Sequence, residues 1–318
     1  MPLDPQIAAK LDPHIAAMLA NAPDFPTAGT IPAAELRRIV RESSIAIPGP
    51  DVTLASVEDR TIPGPGGDLP VRIYTPVGTG PHPVIVYFHG GGWVVGDLDT
   101  QDMIARGLSA GSDSIVISVD YRLAPENPFP AAIEDTWAAT EWAFANARAL
   151  GGDPERMGVA GDSAGGSLAA VSAIFARDAG LPLRAQVLFY GACNYPSVET
   201  ASAQEYATGP ILRREDTMYF WGQYLTDPER EQHDFRASPM RAESHAGLAP
   251  AFVGTAECDP SRDDAENYGE KLKAAGVETE VHRYTGMIHG FVSWVGFLPG
   301  AQKAMADANA FLKRQFAK

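Results

Sequence analysis

Cysteine is nearly absent: the 318-residue chain has two, Cys193 and Cys258, far apart and in no Cys-x-x-Cys pair. This excludes a multi-disulfide framework and a cysteine-built metal cage, and leaves one bridge as the only cystine open to the chain. Basic residues are scarce too, with 25 Lys and Arg against 40 Asp and Glu and a formal net charge of −15. A field of that sign repels phosphate, which argues against nucleic acid as a partner. No stretch approaches the roughly eighteen consecutive apolar residues that a membrane span requires. The first thirty residues are interrupted by Pro2, Pro5, Asp12, Pro13 and Pro23, and no basic segment leads into an apolar core as in a signal peptide. A cytoplasmic protein without a membrane span is therefore expected. What is present is an ordinary hydrophobic share of 45%, enough for one large α/β core.

There is no internal repeat; short β-branched runs alternate with longer helical patterns, which predicts a mainly parallel sheet covered on both faces. The runs are Thr53 to Ile62, Leu69 to Tyr74, Val84 to Phe88, Ser114 to Asp120, Met157 to Ala160, Gln186 to Tyr190, Ala251 to Thr255 and Glu278 to Tyr284. The first two flank the turn sequence PGPGGD and predict an antiparallel hairpin at the sheet edge. Helical patterns cover about Gln101 to Ala110, Ala131 to Leu150, Ala164 to Ala179, Arg262 to Ala275 and Gly300 to Phe316. Residues 1 to 45 and 194 to 247 fall outside the alternation. The second of these regions carries an apolar cluster, Met218, Phe220, Trp221 and Tyr224, which reads as a packed helix face or as a wall of a binding site.

In MGVAGDSAGGSLAA a predicted strand runs into Gly161-Asp162-Ser163-Ala164-Gly165 and then a helix, the strand–turn–helix setting in which Gly-x-Ser-x-Gly presents a nucleophile. A serine hydroxyl needs a base to take its proton and an acid to orient that base. Among seven histidines, His289 follows the last predicted strand in a short loop, while His14, His233 and His245 lie in irregular regions, His82 and His282 sit at or in strands, and His89 opens a glycine triplet. Asp259, directly after a predicted strand, is the candidate acid; Glu257 and Asp263 are lesser ones, and Asp263 and Asp264 also suit the first turn of a helix. The order Ser163, Asp259, His289 is that of the α/β-hydrolase fold. The triplet in YFHGGGWVVGD then has a use: bare backbone N–H groups beside a nucleophile stabilise an oxyanion. Gly91, Gly92 and Ala164 are the expected donors, with Gly90 shaping the turn. Because the base must be neutral, activity should fall as pH drops through an apparent value of roughly 6 to 7.

With these residues in view, the chain resembles the bacterial hormone-sensitive-lipase-like esterases, family IV of the α/β-hydrolase fold. The likeness rests on HGGGW at 89–93, DYRLAPENPFPAA at 120–132, GDSAGG at 161–166, SPM at 238–240, ECDPSRDD at 257–264 and HGF at 289–291. It implies an eight-stranded, mostly parallel sheet with helices on both faces, a catalytic domain of residues 46–193 and 248–318, and a helical cap from residues 1–45 and 194–247. It also implies a carboxylesterase acting on short to medium acyl esters, with no cofactor, no metal and a small-molecule ester as its partner, in a homodimer. An amidase, a carbamate hydrolase or a non-catalytic receptor are the alternatives on this fold. His89 would support the glycine loop, Trp93, Met218 and Trp221 would line the pocket, and the bonds preceding Pro125 and Pro130 are cis candidates. One departure stands out: Ser261 replaces the family's usual leucine, which puts the packing of the turn after Asp259 in question.

Overall fold

The computed structural model describes residues 4–21, 26–196 and 200–318. Eight strands form one sheet: β1 (Leu54–Gly64), β2 (Gly67–Pro76), β3 (His82–Phe88), β4 (Ile115–Val119), β5 (Gly152–Asp162), β6 (Leu183–Phe189), β7 (Ala251–Cys258) and β8 (Thr279–Ile288). Their order is β1-β2-β4-β3-β5-β6-β7-β8. The β1–β2 and β2–β4 pairs are antiparallel and all others parallel, so the predicted hairpin does lie at the edge.

The helices in chain order are α1 (Pro5–Ala8), α2 (Pro13–Asn21), α3 (Ala33–Ile45), α4 (Asp102–Ser112), α5 (Ala131–Asn146) and α6 (Ala164–Asp178). They continue with α7 (Ala201–Glu205), α8 (Arg214–Tyr224), α9 (Pro228–Glu231), α10 (Arg262–Ala274) and α11 (Pro299–Phe316). All five helices expected between the strands are present. The one reaching to Leu150 tightens into a 3₁₀ turn at Ala147–Leu150.

Strand β3 shows why the core has two layers. Val84, Val86 and Phe88 enter one cluster with α5, α6 and α10 residues such as Ile133, Leu168 and Leu272. Ile85 and Tyr87 enter the other, with Met103, Ile104 and Phe311 of α4 and α11. Successive strand side chains point to opposite faces, so a run buried on both sides must be apolar throughout. Each fully buried Val, Ile or Leu contributes about 1.5 to 3 kcal/mol of transfer free energy.

The topology then places the site. From β3 the chain proceeds to β4 on one side, while β5 lies on the other, and crevices form outside the carboxyl ends of strands where the order reverses in this way. Phe88 pairs with Gly161, so the segments that follow β3 and β5 emerge side by side. Cys258 pairs with Ile288 after a register shift, which does the same for the segments after β7 and β8. No helix among the described residues is long and apolar enough to cross a membrane, and both cysteines are buried free thiols.

Candidate active site

Ser163 sits between β5 and α6 with φ 53° and ψ −122°, a strained positive-φ conformation that a non-glycine residue adopts only when its surroundings hold it there. The hold comes from two sides. The Ser163 N–H donates to the Phe189 carbonyl at 2.8 Å, and the first turn of α6 passes so close to β3 that a Cβ on Gly165 would stand 2.0 Å from the Phe88 carbonyl oxygen. The hydroxyl is thereby turned toward His289, whose Nε2 is 2.8 Å from Ser163 Oγ. On the far side of the ring, Nδ1 is 2.7 Å from Asp259 Oδ2. With Nδ1 protonated, Nε2 is the lone-pair nitrogen facing the hydroxyl, the tautomer that proton abstraction needs. Asp259 is fully buried, which keeps water from competing for its bond to Nδ1, while Nε2 and the Ser163 hydroxyl face the open side of the site.

The other acids point elsewhere. Glu257 accepts the Gly286 N–H at 2.8 Å, and Asp263 accepts the Ser202 N–H at 2.8 Å. Asp264 is half-buried and accepts the Asn194 N–H at 3.1 Å; desolvation of its carboxyl pushes it up to about 7. Asp263 and Asp264 therefore tether the segment after β6 to α10, a role beyond that of first-turn charges.

The glycine loop closes the other side of Ser163. Gly91 has φ 121°, and a Cβ there would stand 2.1 Å from the Val95 carbonyl oxygen, so no other residue fits. Gly90 is held differently from the expected shaping of the turn. Its φ is not positive, and its N–H donates to Asp162 Oδ1 at 2.8 Å. Among the described residues no acceptor meets the N–H groups of Gly91, Gly92 or Ala164, which leaves all three available beside Ser163. His89 lies beneath the loop, stacked on Tyr121 at a centroid distance of 4.2 Å, with Nδ1 donating to the Gly90 carbonyl at 2.7 Å. Burial lowers its pKa to about 4, so the ring is neutral.

Asp162 is the residue that sequence reasoning missed. It occupies a variable position of Gly-x-Ser-x-Gly, yet Oδ1 accepts both Gly90 N–H and the Tyr87 hydroxyl, the latter at 2.6 Å. Burial pushes its carboxyl up to about 6 against the lowering effect of those two bonds. Arg37 of α3 was also unforeseen. Its guanidinium donates to the Val94 and Ala124 carbonyls, both at 2.7 Å, and to Glu126, so it fastens the N-terminal region to the chain just after the glycine loop. A fork of five donors suits such a multiple clamp.

A cavity of about 1070 Å³ opens over Ser163 and His289. Its walls come from both regions outside the alternation, including Leu19 and Val40 on one side and Leu212 and Phe220 on the other. These regions are stitched together by Asp216, which accepts the Ala28 N–H at 2.7 Å and the Arg213 N–H at 3.0 Å. Trp93 and Trp221 both reach the cavity while packing on one another at 4.5 Å, and Trp93 stacks on Tyr224 at 4.3 Å. The cluster is thus both core and wall.

Met218 is a correction: it is 40% exposed and does not line the cavity. Helix periodicity gives the reason. Asp216, Thr217, Phe220 and Trp221 share the inward face of α8, while Met218 and the exposed Gly222, four residues on, share the outward one. The bonds preceding Pro125 and Pro130 are cis, as is that preceding Pro81. The turn after Asp259 is not loosened by its serine, because both the N–H and the hydroxyl of Ser261 donate to Asp259 Oδ1.

Comparison with known proteins gives the family of the chain. Residues 85–293 match the family model for the alpha/beta hydrolase fold. Carboxylesterase NlhH of Mycobacterium tuberculosis is 46% identical over 264 residues, 81% of this chain and 82% of its own. A thermostable carboxylesterase cloned from a metagenomic library superposes with a TM-score of 0.86 at 44% identity, covering 90% of this chain and 98% of that one. A hyperthermophilic esterase from Pyrobaculum calidifontis gives 0.88 at 38% identity over the full length of both chains. The chain therefore belongs to the hormone-sensitive-lipase-like carboxylesterases, family IV of the alpha/beta hydrolase fold.

Proposed function

We propose that the protein is a serine carboxylesterase that hydrolyses short to medium acyl esters through an acyl-enzyme on Ser163. The observation that carries this reading is the unbroken relay Ser163 Oγ, His289 Nε2, His289 Nδ1, Asp259 Oδ2, with links of 2.8 and 2.7 Å. His289 takes the Ser163 proton as Oγ attacks the ester carbonyl, and Asp259 steadies the imidazolium that results. The carbonyl oxygen, now negative, is met by the N–H groups of Gly91, Gly92 and Ala164, each such donor contributing about 3 to 4 kcal/mol to the transition state. His289 returns its proton to the leaving alkoxide, and the alcohol departs. Water, deprotonated by the same imidazole, then attacks the acyl carbon, and the second collapse releases the acid and restores the Ser163 hydroxyl. No cofactor enters these steps.

Residues 1–45 and 194–247 act as a cap, a division supported by their shared walls on the cavity and by the Asp216 stitch. A homodimer is the proposed assembly, supported by the outer side of β8, which pairs with no further strand among the described residues, and sedimentation of the full chain tests it. A cytoplasmic location is supported by the two free thiols.

The test of the activity pairs turnover with labelling. Wild type and Ser163→Ala are assayed on p-nitrophenyl butyrate, each with and without a phosphonate ester, and intact masses are recorded. Turnover and a single phosphonyl adduct on wild type alone are expected; a wild type that neither hydrolyses nor labels overturns the reading.

A further inference from the structure

Ser261 stands immediately before α10, where a serine ordinarily accepts a hydrogen bond from the first turn of the helix. Here it caps nothing. Its hydroxyl donates backwards to Asp259 Oδ1 at 2.7 Å, its N–H donates to the same oxygen at 2.8 Å, and Oγ lies 3.3 Å from His289 Nδ1. The carboxylate is thereby divided. Oδ1 takes two donors from Ser261 and Oδ2 takes the imidazole N–H at 2.7 Å, while Ser261 itself borders the cavity.

We infer that Ser261 is a positioning residue of the relay, its hydroxyl setting the rotation of the Asp259 carboxylate and hence the aim of His289 at Ser163. The inference rests on the relay reading of the preceding section and adds a fourth side chain to it. Asp259 is fully buried, so its carboxylate depends on donors that the protein itself supplies. An apolar residue at 261 would leave Oδ1 with one backbone N–H and free the carboxylate to swing about its Cβ–Cγ bond. Small misalignments of a base cost rate steeply. The hydroxyl also draws negative charge from the carboxylate; without it the carboxylate holds the imidazolium more firmly, and the base is freed only at higher pH.

Other groups act on the same pair. The Asp162 carboxylate at the end of β5 acts electrostatically on His289, and Asp264 of α10 does so on Asp259. The Tyr190 ring, after β6, packs on His289 at 4.9 Å. All three persist when only residue 261 is changed.

Ser261→Thr and Ser261→Val provide the test, since they share a shape and differ in the hydroxyl. Both are measured with wild type for kcat and KM on p-nitrophenyl butyrate, for the pH profile of kcat/KM from pH 5 to 9, and for thermal midpoint. The Thr variant should stay within about threefold of wild-type kcat. The Val variant should lose about tenfold in kcat with KM unchanged, and its acid limb should move up by roughly half a pH unit. Ser261→Ala, too small to disturb packing, should reproduce the Val result, which keeps the test open if a branched residue unfolds the turn. Coincident rates and profiles for Thr and Val, or an Ala variant that matches wild type, overturn the inference. A wild type that fails to turn over or label overturns the relay reading instead, so the two failures are distinct.

Discussion

The Asp162 carboxylate accepts the Gly90 N–H at 2.8 Å, a bond that ties the nucleophile's strand to the loop that would hold the oxyanion. Both partners are buried, and the same oxygen takes the Tyr87 hydroxyl at 2.6 Å. A Cβ on Gly90 would stand 2.4 Å from Asp162 Oδ2 and 3.0 Å from the Asp162 carbonyl oxygen, so the bond is made at a distance that only a glycine leaves open. The bond fixes the distance between Ser163 and the free N–H groups of Gly91 and Gly92. Ser163→Ala would silence the nucleophile, whereas loss of Asp162 leaves the nucleophile and misplaces the donors.

Asp162→Ala is therefore expected to lower kcat roughly 10- to 100-fold, short of the full loss of an oxyanion donor, with little change in KM. Asp162→Asn, which keeps an acceptor for Gly90, should fall between it and wild type. Steady-state kinetics on one p-nitrophenyl ester decide the matter. A loss carried by KM with kcat intact would assign Asp162 to substrate binding and not to the oxyanion loop.

Asp264 yields a prediction about stability and pH. Its carboxyl is pushed up to about 7 by burial, above its ordinary value of 3.8. Between those two values the folded protein keeps a proton that the unfolded chain releases, so this group makes stability fall as pH rises, by up to roughly 1.4 kcal/mol per unit. Below the window it is protonated in both states and above it ionised in both, and it contributes no slope. Asp162 and Asp120, each raised to about 6 by burial, act in the same direction. Asp264→Asn keeps an acceptor for the Asn194 N–H and removes the titration. The thermal midpoint of the variant relative to wild type should thus climb from pH 4.5 to pH 7.5, and parallel midpoint curves would contradict it.

Much of this fold is written locally. Val84 to Phe88 is apolar at every position and reads as a doubly buried strand from composition alone, as it proves to be. Where strand ends were misjudged, a bulge or a turn is responsible. β5 begins at Gly152, ahead of the apolar run from Met157, because a register shift lets Gly152 pair with His82. β8 continues past Tyr284 to Ile288 through the irregularity opposite Ala256 and Cys258. That Ser163, His289 and Asp259 would meet was legible because each follows a predicted strand at the sheet's carboxyl edge, and the structure brings the three side chains into one hydrogen-bonded row. Asp162, Arg37 and Asp264 were not, because their partners lie 72, 57 and 70 residues away and nothing local marks a carboxylate or guanidinium that serves a distant backbone. Met218 failed for a related reason: an apolar cluster on a helix has a phase, and only the position of α8 over the cavity says which residues face inward.

That phase leads to a prediction about specificity. Phe220 lines the cavity and lies over the glycine loop, so near that a Cβ on Gly92 would stand 2.3 Å from its Cγ. Met218, two residues earlier, faces out. Shortening Phe220 to alanine opens space beside the donors of Gly91 and Gly92, and each methylene that an apolar pocket accepts or refuses changes kcat/KM by about 10-fold or more. On a series of p-nitrophenyl esters from acetate to decanoate, Phe220→Ala should shift the optimum to longer chains and raise the octanoate-to-acetate ratio about tenfold. Met218→Ala should leave the ratio within about twofold, since exposed substitutions away from the site have little effect. An unchanged ratio for Phe220→Ala would put its ring off the acyl path, and a shifted one for Met218→Ala would mean that α8 presents a different face to the substrate.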